Sequence, residues 1–317
     1  MRVIIIGCTP LAKKVINLVE NIATIVGVVN LHPSLGVMKS NYDTLSDFNS
    51  RRPKDFLMTK DINDNDTWKW IKKKKCDIII QCGWSQIFNK RIINTPKLFC
   101  IGFHPSPLPI GRGAAVLNWK MIKNDGFKSI DWGNSMFVMD EKTDTGDILD
   151  FESIIIQERD DIKTCFFKVD RSSIKMLKRT LPKIESKSFK RTKQKKSKAT
   201  RFYKRKPSDG LFYFNWNAGK ILNYIRALTS PYPGAFFIWE SFDNHSIIVW
   251  KASLGKVNST HFDIPGMILR IEDGKGIQVL VGDNETIWIE FISDENGLEC
   301  WADEWARDEF LSVGDII

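Results

Sequence analysis

Two rhythms of apolar and polar positions divide the chain. Through the first 185 residues, short apolar runs alternate with longer stretches of helical spacing. Residues 3–6, 25–29, 78–80 and 99–103 are β-branched or aromatic runs bounded by Gly, Asn or Lys, which predicts strands. Residues 11–19 and 68–75 carry apolar positions three and four apart, which predicts helices. From residue 207 onward the apolar runs shorten and follow one another directly. Residues 236–239, 246–250, 266–271, 276–281 and 286–291 predict strands separated by Gly, Asp and Asn, preceded by one helix over about Ala218–Leu228. No internal repeat is visible.

The first rhythm implies an α/β sheet with crossover helices, of the Rossmann-like kind. The second implies a small antiparallel OB-like β-barrel. Between them runs a strongly basic segment. Residues 183–206 hold twelve Lys or Arg and one Glu, a local net of +11. The whole chain carries +9, so the remainder carries a net −2 and the protein is not basic throughout. Like charges in a run repel and resist packing, so the segment reads as a solvated connector, or as an arm that contacts phosphates. The expected organisation is a domain over 1–185, a basic linker over 186–206 and a second domain over 207–317.

Composition narrows the classes. The chain has 317 residues, 43% hydrophobic and 27% charged, which argues against wholesale disorder. No run of about 18 apolar residues occurs, so no spanning helix and no membrane partner is expected. The first residues, basic then briefly apolar, read as a strand rather than a signal peptide. The six cysteines form no CxxC pair and no metal-ligand spacing, and only four histidines are present, His32, His104, His245 and His261. That pattern predicts free thiols, a reducing cytoplasmic compartment and no metal. The first strand enters Gly7-Cys8-Thr9-Pro10-Leu11-Ala12, with one glycine where a dinucleotide fingerprint needs three, so NAD and FAD are disfavoured.

The densest chemistry lies in Gly102-Phe103-His104-Pro105-Ser106-Pro107-Leu108-Pro109-Ile110-Gly111-Arg112-Gly113. A strand-like run ends on a histidine and continues into a loop stiffened by three prolines. In open α/β sheets ligands bind at strand ends, and such a loop fixes backbone groups with little entropy loss. A lone histidine is more often a packed structural residue. A further stretch, Asp144-Thr145-Gly146-Asp147, is a good turn sequence in its own right.

Taken in order, these blocks resemble the formyltransferase family that uses 10-formyltetrahydrofolate. The family motif Asn-x-His-x-Ser-Leu-Leu-Pro with a following Arg-Gly stands here as Gly102 to Pro109 with Arg112-Gly113. The Asp-Thr-Gly-Asp block stands at Asp144 to Asp147. A distal block stands at Arg205 to Gly210, Asn215-Trp216, Ile225 to Leu228 and Pro231 to Phe236. The resemblance implies a Rossmann-like transferase domain followed by an OB-like barrel, with 10-formyltetrahydrofolate as co-substrate in the strand-end crevice.

It also implies a mechanism. Formyl transfer to an amine passes through a tetrahedral oxyanion, and the amine must shed a proton. His104 would relay that proton or stabilise the oxyanion, and Asp144 would orient His104. The folate would contact Gly83, Trp84 and Ser85 in the loop after one strand, and Ser106, Leu108 and Arg112 in the loop after the next. One departure stands out. Gly102 occupies the place of the family asparagine that donates to the formyl oxygen, and loss of one such donor typically costs about 10²–10³ in rate. Gln81, Ser85, Asn118 or a backbone N–H are the candidate replacements.

The family divides by acceptor. The stretch 30–43 has one lysine and one aspartate and offers no basic tRNA loop, while Leu45-Ser46-Asp47-Phe48 and Gly83-Trp84-Ser85 are similar to the sugar branch. The expected acceptor is a nucleotide-linked deoxy-amino sugar, at its 4-amino group. The basic segment beside an OB-like barrel keeps methionyl-tRNA as the alternative, with nucleic acid as partner only in that case. Gly102 motivates a third reading, a non-catalytic folate- or RNA-binding relative. Exposed apolar strands in the barrel leave a homodimer open.

Overall fold

The computed structural model describes residues 1–36, 41–239, 245–256, 264–294 and 296–317. Part of the 30–43 stretch, residues 37–40, and His261 lie outside them. The chain divides into two units. The first takes in residues 1–116, 131–155 and 166–203, and the second residues 117–130, 156–165 and 204–317.

In the first unit the apolar runs become strands in chain order: β1 (Arg2–Gly7), β2 (Thr24–Leu31), β3 (Phe56–Thr59), β4 (Ile78–Cys82), β5 (Phe99–His104), the short β6 (Arg112–Gly113), β7 (Ile130–Val138), β8 (Ile148–Ile156) and the short β9 (Arg201–Phe202). Seven of them form one sheet in the order β3-β2-β1-β4-β5-β7-β8. The pairs among β1 to β5 are parallel, and β7 runs antiparallel to β5. Residues Val3 to Ile6 are fully buried without alternation because helices cover both faces of the sheet. Successive residues still part company: Val3 and Ile5 pack with Val15 and Ile16, whereas Ile4 and Ile6 pack with Ile71 and Ile92.

Local signals start the covering helices. Pro10 opens the helix Pro10–Val19, and the Asp64 side chain caps Asn65–Lys73 by accepting from the Thr67 N–H at 2.7 Å. The strand order reverses between β1 and β4, whose last residues, Gly7 and Cys82, stand in register. A Cβ on Gly7 would lie 2.5 Å from the Cys82 carbonyl oxygen, so only glycine admits this close approach. Open α/β sheets place their ligands outside the carboxyl ends of strands at such a switch point.

The basic segment is a correction to the solvated connector. Thr192 exchanges both backbone hydrogen bonds with Ile148 at 2.9 Å, and β9 pairs in parallel with β6. The backbone of residues 192–202 is therefore built into the first unit, while its lysine side chains remain exposed.

In the second unit the helix Ala218–Leu228 is capped by Asn217, whose side chain accepts from the Lys220 N–H at 2.8 Å. It is followed by β10 (Ala235–Trp239), β11 (His245–Leu254), β12 (Ile268–Glu272), β13 (Gly276–Leu280), β14 (Thr286–Ser293) and β15 (Glu299–Trp301). The antiparallel order is β10-β11-β14-β13-β12, with β15 added to β14. Arg226 anchors this unit. Its buried guanidinium donates from Nη1 to the carbonyls of Gln157 and Asp160 at 2.8 and 3.1 Å, and from Nε to Asn223 at 2.9 Å. Burial lowers its pKa from the ordinary arginine value. Arg226→Met leaves those carbonyls unpaired, and we expect the unit to lose roughly 3–5 kcal/mol, read as a lower urea midpoint.

Candidate active site

His104 is the last residue of β5, opposite Ser135 of β7. The loop beyond it is held by hydrogen bonds from its neighbours. The Ser135 hydroxyl donates to the Ser106 carbonyl at 2.7 Å and accepts from the Leu108 N–H at 3.0 Å. The Trp132 indole donates to the Pro105 carbonyl at 2.7 Å. The Gly111 N–H donates to the Thr200 hydroxyl at 2.8 Å. Gly111 and Gly113 have φ of 74° and 100°, the left-handed region that glycine enters freely. At Gly113 a side chain would also strike the Phe202 carbonyl of β9.

Asp144 comes from the turn between β7 and β8. The turn is built by its own sequence: Thr145 donates to the Asp140 carboxylate at 2.7 Å, and Gly146 passes so close to the Val138 carbonyl that no Cβ fits. Asp144 itself has φ of 60°, a conformation that Asp and Asn tolerate better than most residues. Its Oδ2 accepts from the Gly113 N–H at 2.8 Å. Its Oδ1 lies 3.6 Å from His104 Nδ1, with the two side chains 7% and 12% exposed. The turn residue is thus also the neighbour of the histidine.

The tautomer follows from the contacts. His104 Nε2 lies 2.7 Å from the Gly111 carbonyl oxygen, which can only accept, so Nε2 carries a proton. In the neutral ring the lone pair then sits on Nδ1, facing Asp144. A proton arriving at Nδ1 meets a carboxylate that stabilises the resulting imidazolium. Such an arrangement can take up a proton at Nδ1 with a counter-ion beside it. Burial raises the pKa of the Cys82 thiol at the end of β4 well above its ordinary value, so this thiol is a poor nucleophile.

The sequence-derived ligand residues have mixed placements. Gly83, Trp84 and Ser85 follow β4, while Ser106, Leu108 and Arg112 follow the adjacent β5, so both loops leave the same end of the sheet. Ser85 is exposed. Ser106 is fully buried, and its hydroxyl makes no hydrogen bond within the protein. Trp84 is buried with Ile6 and Phe88, and its indole N–H is also unpaired. The space beside Gly83, with φ of 65°, is occupied by Thr9. Leu108 is buried. Arg112 meets a neutral partner, donating from Nε and Nη2 to Gln194 Oε1 at 3.1 and 2.6 Å.

The space a side chain at Gly102 would enter is taken by Phe137 and Met139, 3.0 and 3.1 Å from an ideal Cβ. Of the candidate replacements, Gln81 donates to the Trp84 carbonyl at 2.7 Å and Asn118 to the Ala227 carbonyl at 2.7 Å, so both amides have structural tasks. Sequence reasoning missed Ser135, Trp132, Thr200 and Gln194. Nothing local marks them, since each acts through a partner distant in sequence.

A histidine and an aspartate thus face each other at the end of β5 in the first unit, and an antiparallel unit follows in the chain. The family model described as formyl transferase matches residues 2–181, and that of the formyl transferase C-terminal domain matches residues 204–309. The chain belongs to the formyl transferase family, whose members catalyse formyl transfer. It is 37% identical over 210 residues to the bifunctional polymyxin resistance protein ArnA of Wigglesworthia glossinidia brevipalpis, covering 66% of this chain and 31% of that protein. The chain therefore spans about a third of the length of that relative. It is 28% identical over 241 residues to methionyl-tRNA formyltransferase of Caldanaerobacter subterraneus subsp. tengcongensis, covering 74% of each. In fold it is similar to the N-formyltransferase from Helicobacter canadensis in complex with folinic acid and dTDP-3-aminofucose. That match has a TM-score of 0.65 at 17% identity and covers 90% of this chain and 98% of the other.

All six cysteines are free, and among the described residues no helix is long and apolar enough to cross a membrane.

Proposed function

We propose that the protein transfers a formyl group from 10-formyltetrahydrofolate to the amine of a nucleotide-linked deoxy-amino sugar, at its 4-amino group, in the cytoplasm. The carrying observation is His104 Nδ1 held 3.6 Å from Asp144 at the strand end of the family-matched unit. The folate, when bound, supplies the activated formyl carbon. His104 takes the amine proton, Asp144 balances its charge, and the loop after β5 orients both. Gly83, Trp84, Ser85, Leu108 and Arg112 complete the assigned donor side, and the second unit acts as an OB-like module.

The sugar reading draws support from the absence of a basic run in the stretch 30–43 and from the complex of the Helicobacter canadensis protein with an amino-sugar nucleotide. Incubation with 10-formyltetrahydrofolate and a panel of 4-amino and 3-amino sugar nucleotides tests it, with charged initiator tRNA in parallel. Formylated 4-amino sugar is the expected product. Product on tRNA alone overturns the sugar reading, and no product with any acceptor overturns the enzymatic one.

Methionyl-tRNA is the second reading, favoured by the likeness to the Caldanaerobacter enzyme and by the exposed lysines of the basic segment. Replacing Lys195, Lys196 and Lys198 with Gln separates the two. Sugar formylation should stay within about twofold, with no rise in KM. A tRNA acceptor would instead bind more weakly and with a shallower salt dependence, since fewer counter-ions are released.

A further inference from the structure

Among the exposed residues 193–199, Gln194 is the one that is half-buried. Its amide is used at both ends. Oε1 accepts from Arg112 Nε and Nη2 at 3.1 and 2.6 Å, and Nε2 donates to the carbonyls of Asp144 and Gly146 at 3.0 and 2.7 Å. One side chain thus ties together two loops that sequence keeps apart. Arg112 lies between Gly111, whose carbonyl accepts from His104 Nε2, and Gly113, whose N–H donates to Asp144 Oδ2. Asp144 is the carboxylate facing His104 Nδ1.

The flanking backbone fixes Gln194 in turn. On one side Thr192 is bridged to Ile148. On the other, the Arg112 N–H donates to the Thr200 carbonyl at 2.9 Å, and the Thr200 hydroxyl accepts from Gly111. The basic stretch is a strap laid across the loops that hold His104 and Asp144.

We propose that Gln194 is a positioning residue for the His104–Asp144 pair, acting through Arg112 and through the Asp144 and Gly146 carbonyls, and that the strap it belongs to is part of the catalytic scaffold. The proposal rests on the formyl-transfer reading for its kinetic consequence and on geometry alone for its structural one. Gln194 needs both of its functions, an acceptor for Arg112 and a donor for the carbonyls. Glutamate keeps the first and lacks the second. Alanine lacks both.

The test compares Gln194→Ala and Gln194→Glu with the unaltered full chain. In the formyl-transfer assay both variants should lose roughly 10- to 100-fold in kcat, the scale of a misplacement of about 1 Å, and KM for the folate donor should rise more in Gln194→Ala, which also releases Arg112, than in Gln194→Glu. In a ¹H–¹³C spectrum the His104 ring signal, assigned with His104→Gln, should shift in both variants while the His32 signal stays. Trypsin should cut the unaltered chain slowly between Lys190 and Arg201 and cut Gln194→Ala faster there. Melting temperature serves as the control for folding. Should Gln194→Ala fail to fold, Gln194→Glu, which keeps the Arg112 anchor, decides the matter.

Full activity in either folded variant, or an unmoved His104 signal, overturns the proposal. Loss of kcat with a shifted ring signal supports it. If the unaltered chain transfers formyl to no acceptor, the functional reading fails, but the ring signal and the trypsin pattern still decide whether Gln194 positions the pair.

Discussion

His104→Ala is expected to reduce formyl transfer by about 10²–10⁴-fold, the range that a positioned general base contributes. The reason is specific to this geometry. The Gly111 carbonyl holds the Nε2 proton, so Nδ1 is the basic nitrogen of the neutral ring. Burial adds a second effect. The residue is buried, and removing its ring leaves a void and an unpaired Gly111 carbonyl. Alanine should therefore also cost roughly 2–4 kcal/mol in stability and lower the melting temperature by several degrees. His104→Gln separates the two effects. Its amide still offers a donor to Gly111 but no base, so activity should stay lost while most of the stability returns. Activity within about tenfold of the unaltered protein in the glutamine variant would remove His104 from proton transfer.

Much of the fold was legible because it rests on local signals. The runs at 3–6, 25–29, 78–80 and 99–103 became β1, β2, β4 and β5, each with one or more residues added, because buried parallel strands are uniformly apolar. The helix Ala218–Leu228 lay where expected because Asn217 caps its first turn. β7 and β8 were missed. β7, Ile-Asp-Trp-Gly-Asn-Ser-Met-Phe-Val, mixes polar residues into its apolar run, because Asn134 and Ser135 serve as hydrogen-bonding groups within the structure.

His104 and Asp144 were legible only as two motif residues 40 positions apart, and a turn sequence around Asp144 masked its second role. Gln194 and Thr200 were not legible at all. Their partners lie 50 and 82 residues away for Gln194 and 89 for Thr200, and both sit in a charge run whose obvious reading is solvation. That reading holds for the lysine side chains and fails for the backbone and the few neutral residues between them. A charge run repels itself only through its charged groups; spaced Thr and Gln residues leave it free to dock.

Asp144→Asn isolates the electrostatic part of the site. Asparagine matches the shape of aspartate, tolerates the φ of 60°, and retains an oxygen for the Gly113 N–H. Folding stability should therefore change by less than about 1 kcal/mol. Catalysis should not survive as well. The imidazolium formed at Nδ1 loses its counter-ion, and the new amide N–H, turned toward His104, donates into the lone pair that must accept the proton. A fall in kcat of roughly 10²-fold or more is expected, with KM for the donor little changed. Asp144→Ala gives the contrast. It places a Cβ residue without a polar side chain at a left-handed position and orphans the Gly113 N–H, so it should lose stability as well as rate. If Asp144→Asn keeps activity within about tenfold while Asp144→Ala collapses, the carboxylate acts only as a turn residue and His104 works without it. The opposite pattern, a stable but slow asparagine variant, requires an acceptor-only carboxylate beside the His104 ring 3.6 Å away, and not merely a side chain of that shape in the turn.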